Sequence, residues 1–245
     1  MPQPVLHRGA TLPYKLLAGV EPCPRGWLVV TGRLQGITLL PQSPLLFERF
    51  IDVLDHKPAF TVVAVHAPIG LLATQEQGGR ACDRAARQVL GWPRLAAITP
   101  VPTRAATQAR TYKKARAANG GTLSPVTWSL MPLIREVDDA IEPYWQRSVY
   151  EVNPELTFHQ LNDNTALRFP KRSSVGYKER RGLLETKFRE ANTVLDVRVK
   201  GVDHSHVIDA LADLWTARRI ASKAAHRLPD VPLWDDTGLR MEITH

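Results

Sequence analysis

The run from Phe60 to Val65 (FTVVAV) constrains the fold more than any other stretch of the chain. It is almost unbroken by polar residues, rich in β-branched side chains and closed by His66-Ala67-Pro68, the pattern of a strand buried on both faces of a sheet. Such a strand needs helices above and below it, which points to an α/β fold. Upstream, Leu16 to Glu21 (LLAGVE), Trp27 to Thr31 (WLVVT) and Ile37 to Leu40 (ITLL) are short apolar runs separated by turn-forming segments, and they predict an antiparallel meander. Pro44, Leu45, Leu46, Phe50, Val53 and Leu54 predict an amphipathic helix that ends near Lys57-Pro58. Gly78 to Leu90 predicts a second helix, with its N-terminus placed to receive an anion. Ser148 to Val152 predicts another core strand, followed by an irregular segment, a basic helix over Lys178 to Ala191, a last helix over His204 to His226 and a proline-rich tail.

These elements give a mixed five-stranded sheet, an antiparallel meander followed by parallel strands, flanked by helices. With no internal repeat or low-complexity linker, the expected organisation is a short tail over 1–14 and one α/β domain over 15–245. The proline-, alanine- and arginine-rich region at about 91–145 is expected to be a helical and loop insertion in it.

Charge narrows the partners. The net charge of +8 is uneven: Thr99 to Ser124 holds five basic residues and no acid, and Arg168 to Arg189 holds eight against Glu179 and Glu185. The two stretches carry +11, leaving −3 on the remainder. Stretches of this kind attract polyanions, because neutralised phosphates release condensed counterions; a merely solvated basic surface gives the same composition. No apolar run reaches the ~20 residues of a membrane-spanning helix, and Met1 to Tyr14 lacks the apolar block of a secretory signal, so no membrane partner and a cytoplasmic location are expected. The only cysteines, Cys23 and Cys82, exclude a disulfide framework and a C-x-x-C metal or redox motif. Phosphate-binding loops, dinucleotide fingerprints and nucleophile elbows lack their motifs, and His204 and His206 have no partners at zinc spacing.

In open α/β sheets, ligands gather beyond the carboxyl ends of the strands. Glu21, His66 and Glu151 end three of the expected strands, Glu155 follows four residues later, and His206, Asp209 and Asp213 share one face of the last helix. Each has a structural alternative: Glu21 before Pro22 can cap a turn, and Asp209 can lie on a solvated helix face. Brought together, such acids would raise one another's pKa values unless a cation joined them, and Mg²⁺ or Mn²⁺ suits oxygen ligands.

Seven segments in order (AGVEPCPRGWLVV, APIGL, GGRACDRAAR, PVPTR, LIREVD, EVNPELTF and IDALADLWTARRIA) resemble a domain-of-unknown-function family described as predicted nucleases of the RNase H fold. The resemblance implies a ribonuclease H-like sheet and a two-metal site for phosphodiester cleavage. It implies Glu21, Glu151 and Asp209 as metal ligands, with Glu155 and His66 completing the catalytic group. Arg80, Arg84, Arg104, Lys171 and Arg172 are the expected phosphate contacts. The chain departs from the family pattern: Glu21 and His66 stand where Asp is usual, Asn153 replaces a His, and Leu133 stands where Lys is common. Glu for Asp lengthens the carboxylate by one methylene, and His for Asp removes a charge and offers nitrogen, a poor ligand for Mg²⁺ but acceptable to Mn²⁺. The expected function is a divalent-metal-dependent nuclease, weakened or inactive through these replacements. The alternatives are a non-catalytic nucleic-acid-binding protein and metal-dependent chemistry on a small phosphorylated molecule.

Overall fold

The computed structural model describes residues 13–245; of the tail expected at 1–14, residues 1–12 lie outside the described residues. Strands β1 (Lys15–Cys23), β2 (Gly26–Gln35) and β3 (Thr38–Pro41) form the antiparallel meander, and β4 (Leu45–Phe47) adds to the other end of β2. Helix α1 (Phe50–Leu54) leads to β5 (Val62–Val65), which lies parallel to β1. Helix α2 (Ala81–Leu90) opens a long excursion through α3 (Arg104–Thr107), α4 (Tyr112–Ala118) and α5 (Pro125–Ala140), with 3₁₀ turns at Arg94–Ala97 and Pro143–Arg147. The chain returns as β6 (Val149–Glu151), parallel to β5, then α6 (Pro154–Leu161), α7 (Ser174–Glu185), α8 (Asn192–Leu195) and α9 (His204–Ala221). Strands β7 (Arg227–Trp234) and β8 (Arg240–Thr244) close the chain as a separate antiparallel pair.

The result is a mixed α/β fold around a six-stranded sheet in the order β3-β2-β1-β5-β6, with β4 paired to β2. Side chains alternate across it. Leu17, Leu28, Val30, Val62 and Ala64 pack on one face against Ile208, Leu211 and Leu214 of α9. Leu16, Ala18, Val20, Val63 and Val65 pack on the other against Phe50 and Val53 of α1 and Val137 of α5. This double cover is why the FTVVAV segment has no polar face. Both cysteines are buried and free, and no helix among the described residues is long and apolar enough to cross a membrane.

Several expected elements are corrected. The sheet has six strands rather than five, because Leu45, Leu46 and Phe47 pair with Val29, Leu28 and Trp27 instead of opening the helix, which starts only at Phe50. The segment after β6 is a helix rather than irregular: Asn153 caps it by accepting from Glu155 N at 3.0 Å, and Pro154 takes its first position. The basic helix begins earlier and ends at Glu185, started by Ser173, whose Oγ accepts from Gly176 N at 3.1 Å. The last helix stops at Ala221, and the proline-rich tail is a β-ribbon.

Candidate functional site

Three strand ends and one helix build the site. Glu21 lies near the carboxyl end of β1, His66 directly follows β5, and Glu151 closes β6, with Val152 and Asn153 leading into α6. Helix α9 crosses this edge, and Gly19 sets how closely. A Cβ there would lie 2.1 Å from the carbonyl oxygen of Ala210 and 2.2 Å from the amide nitrogen of Leu214, so helix and strand meet backbone to backbone. That contact brings His206, Asp209 and Asp213, one face of α9, against the acid of β1.

Glu21 is 2% exposed. His66 Nδ1 donates to its Oε2 at 2.7 Å, and His206 Nδ1 lies 3.3 Å from its Oε1. Facing a carboxylate, which only accepts, fixes the proton of His66 on Nδ1. Burial pushes the Glu21 carboxyl up, but the adjacent His66 and the hydrogen bonds from His206 and His66 outweigh it and hold the group at about 2. Burial pushes His66 down, yet the Glu21 charge and hydrogen bond leave it raised. Lys171 Nζ donates to Asp209 Oδ2. Burial disfavours its charge, but Asp209 and Glu21 outweigh that and raise its pKa. Asp209 is raised, by burial first and by the Glu21 charge next, against the pull of Lys171.

Asp213 is the most strained electrostatically. It is fully buried, neither carboxylate oxygen has a hydrogen-bond partner among the described residues, and burial together with Glu21 and Asp209 raises its pKa well above the ordinary value. Glu155 Oε2 is also buried without a partner among them, while its Oε1 accepts from Arg180 at 2.7 Å. The site therefore pairs Glu21, Asp209 and Glu155 with His66, Lys171 and Arg180, and leaves Asp213 without a partner among the described residues. Among the described residues no three His, Cys, Asp or Glu side chains converge as a ready-made metal group.

Glu151, an expected metal ligand, is engaged within the fold. Its Oε2 accepts from Ile69 N at 2.7 Å and from one guanidinium nitrogen of Arg80 at 2.8 Å, and its Oε1 accepts from the other. Arg80 as a phosphate contact is corrected for the same reason: it is 1% exposed and also bonded to Asp83 and to the carbonyls of Ile69 and Gly70. It fills the N-terminus of α2, where the sequence suggested an anion. Arg104 is likewise corrected, since Asp138, Asp235 and Asp236 surround it. Lys171 reaches the site but is held by Asp209. Arg84 is partly exposed and bonded to Glu76, and Arg172 is exposed.

Sequence reasoning placed Asp213 in the acid cluster but left it out of the expected ligand set, and it passed over Arg180. The spacing of His206, Asp209 and Asp213 signalled the first; nothing local marks Arg180, one of several basic residues on α7. It also missed the cavity beside the site, of about 180 Å³, which lies between His66, Asn153 and the residues 97–134 of the excursion.

No curated protein and no solved structure matches the chain. Residues 19–233 match a family model that spans the sheet, the excursion and α9, and so takes in every acid of the site. The chain belongs to that family, described as Protein of unknown function (DUF429).

Proposed function

We propose that the protein is a divalent-metal-dependent phosphodiesterase acting on nucleic acid, with a ribonuclease H-like fold. The sheet order, antiparallel through β3-β2-β1 and then parallel through β5 and β6, supports that reading of the fold. The observation that carries the function is the pair of unpartnered, buried Asp213 oxygens beside Asp209 and Glu21 at the strand ends. Orphaned carboxylate oxygens fit a hard cation such as Mg²⁺ or Mn²⁺; Asp213 would hold it, and Glu21 and Asp209, which do not converge with it as a ready-made group, would have to close on it in place of Lys171. Bound there, the ion would activate water and stabilise the leaving oxygen of a phosphodiester. His66, oriented by Glu21, holds its proton at Nδ1 and keeps its ring fixed; Arg172 offers an exposed charge to phosphate.

A second reading is favoured by Lys171 on Asp209 and His66 on Glu21, which neutralise the acids without a metal. In it the protein binds nucleic acid and does not cut it. Incubation with labelled single-stranded, duplex, hybrid and branched substrates in Mg²⁺ and in Mn²⁺ separates the two. Cleavage abolished by Asp209→Asn supports the enzyme. Salt-sensitive binding without turnover, recovered as cleavage by Glu21→Asp with His66→Asp, supports the degenerate site. Cleavage that survives Asp209→Asn sinks the metal assignment.

A further inference from the structure

The cavity beside the acid cluster has its own chemistry. Its walls are mostly apolar, and include Pro22, Pro68 and Pro100 together with Leu130 and Ile134 of α5. Nearly all of the polar groups that border it are already used. The Arg80 guanidinium is bonded to Asp83, Glu151 and two carbonyls; Trp27 Nε1 donates to Glu136 at 2.9 Å; Thr127 Oγ1 lies 2.8 Å from Ser124 Oγ. Asn153 is different. Its Oδ1 accepts from Glu155 N at 3.0 Å, which fixes the amide's orientation, and its Nδ2 reaches His66 Nε2 at 3.2 Å. A side-chain amide carries two N–H donors, so one remains on this residue of the pocket lining.

Three quantities narrow the occupant. A volume of about 180 Å³ is below the ~300–1,000 Å³ of drug-sized sites and close to the ~150 Å³ cavity that accepts benzene, so it suits a single ring. Arg80, the one arginine or lysine on its wall among the described residues, faces two carboxylates, and His66, the other basic side chain there, is paired with Glu21, so the pocket offers no surplus positive charge to an anionic group. A fixed donor enclosed by an unfunctionalised apolar ring would lose its water without a replacement acceptor, at a cost of about 1–3 kcal/mol. The remaining choice is a neutral ring with a carbonyl oxygen.

We propose that this cavity binds one unstacked, carbonyl-bearing heterocyclic ring, of the kind a pyrimidine base presents, with the carbonyl oxygen accepting from Asn153 Nδ2. The assignment deepens the nucleic-acid reading of the site and rests on it for the source of the ring: a base splayed from a single strand, stacked between proline and aliphatic faces next to the acids.

Calorimetric titration with uridine, adenosine and benzoate tests it. Uridine is expected to bind, with adenosine, bicyclic and without a carbonyl, at least about tenfold weaker and benzoate weaker still. Asn153→Asp keeps the oxygen that caps α6 and removes both donors, and is expected to weaken uridine about tenfold. Leu130→Trp, at an exposed position on the cavity wall, is expected to abolish uridine binding while leaving the thermal transition in place. A single-stranded oligo(U) that displaces uridine assigns the pocket to a base in a strand; failure to displace it assigns a free nucleoside. The proposal is overturned if uridine does not bind, if adenosine or benzoate binds as tightly, or if Leu130→Trp still binds it. Uridine binding without cleavage of any substrate would sink the nuclease and leave the pocket, and cleavage without uridine binding would do the reverse.

Discussion

Asp213 and the Glu21–His66 pair respond to pH in opposite senses. A carboxyl whose folded pKa lies above its ordinary 3.8 gives its full stabilisation below pH 3.8 and loses it as pH rises through the folded value. Asp213→Asn removes that loss at almost constant shape. Urea unfolding in EDTA should therefore find the variant more stable than the parent at pH 8 and little different at pH 4; a destabilised variant at pH 8 would show that the ionised carboxylate is held by a partner. The Glu21–His66 pair works the other way. Glu21, held at about 2 against an ordinary 4.5, stabilises above pH 4.5 and loses this as pH falls toward 2. His66, raised above 6.5, stabilises below pH 6.5 and loses this as pH rises through its folded value. The pair is strongest between those limits, at about pH 4.5 to 6.5. Glu21→Gln leaves burial as the leading influence on His66, so its imidazole should titrate below 6.5 in place of above it, as read from the ring proton shifts in NMR. An unchanged titration would mean that Asp209 alone sustains the charge.

Between elements, the contact of α9 with β1 at Gly19 governs the site. A methyl group there meets backbone atoms that cannot rotate away, and overpacking of this kind costs roughly 1–3 kcal/mol or more. Gly19→Ala should lower the urea midpoint by an amount in or above that range and, by moving Asp209 and Asp213 off Glu21, lower divalent-ion affinity in whatever protein still folds; a variant of unchanged stability would mean that the helix is not pinned there. This contact was not legible in the sequence, where Gly19 is one small residue in an apolar run. Where local pattern decides, the sequence was readable: the short apolar runs set off by turns, WLVVT among them, and the β-branched run at Val62 placed the meander and the central parallel strand. Where distant pairing decides, it was not. Leu45 to Phe47 carry a helical spacing that the edge of β2 overrides. Pro229 and Pro232 argue against a strand, yet β7 is the outer strand of a two-stranded ribbon whose other strand, β8, bridges to Val152, and proline is tolerated on such an edge. Asn153-Pro154 is a cap followed by a first-turn proline, a local signal for α6 that was present in the sequence and passed over. Glu151 and Arg80 could each be read as functional, but only their mutual bond shows that each satisfies the other.

Across the whole molecule, the thirteen basic residues of the two stretches, net +11, divide into those held by acids and those exposed. Arg104, Lys171, Arg180 and Arg181 are engaged with Asp138, Asp209, Glu155 and Glu185, respectively. The other nine basic residues are exposed: Arg110, Lys113, Lys114 and Arg116 in the excursion, and Arg168, Arg172, Lys178, Lys187 and Arg189 on and around α7. Only exposed cations can release counterions from a phosphate backbone, so under the proposed function the affinity of the two stretches for nucleic acid would be set by these nine and not by the net charge. The sequence could not separate the two groups, because Arg180 and Arg181 lie close to Lys178 and differ from it only in what the fold brings to them. Arg172 follows Lys171, which reaches Asp209 of the acid cluster, and Arg168 precedes both in the same non-helical segment. In filter or fluorescence binding to a single-stranded oligonucleotide over a salt series, Arg172→Gln should lower the slope of log K against log salt by about 1 and weaken binding alike across base sequences. Arg168→Gln with Arg172→Gln should lower it by about 2. Lys113→Gln, on the excursion, reads whether the two stretches form one track: a slope lowered by about 1 joins them, and an unchanged slope confines the nucleic acid to the segment beside the acids. If neither Arg172→Gln nor the double variant moves the slope, phosphate does not approach the acid cluster, and the phosphodiesterase reading loses its substrate path.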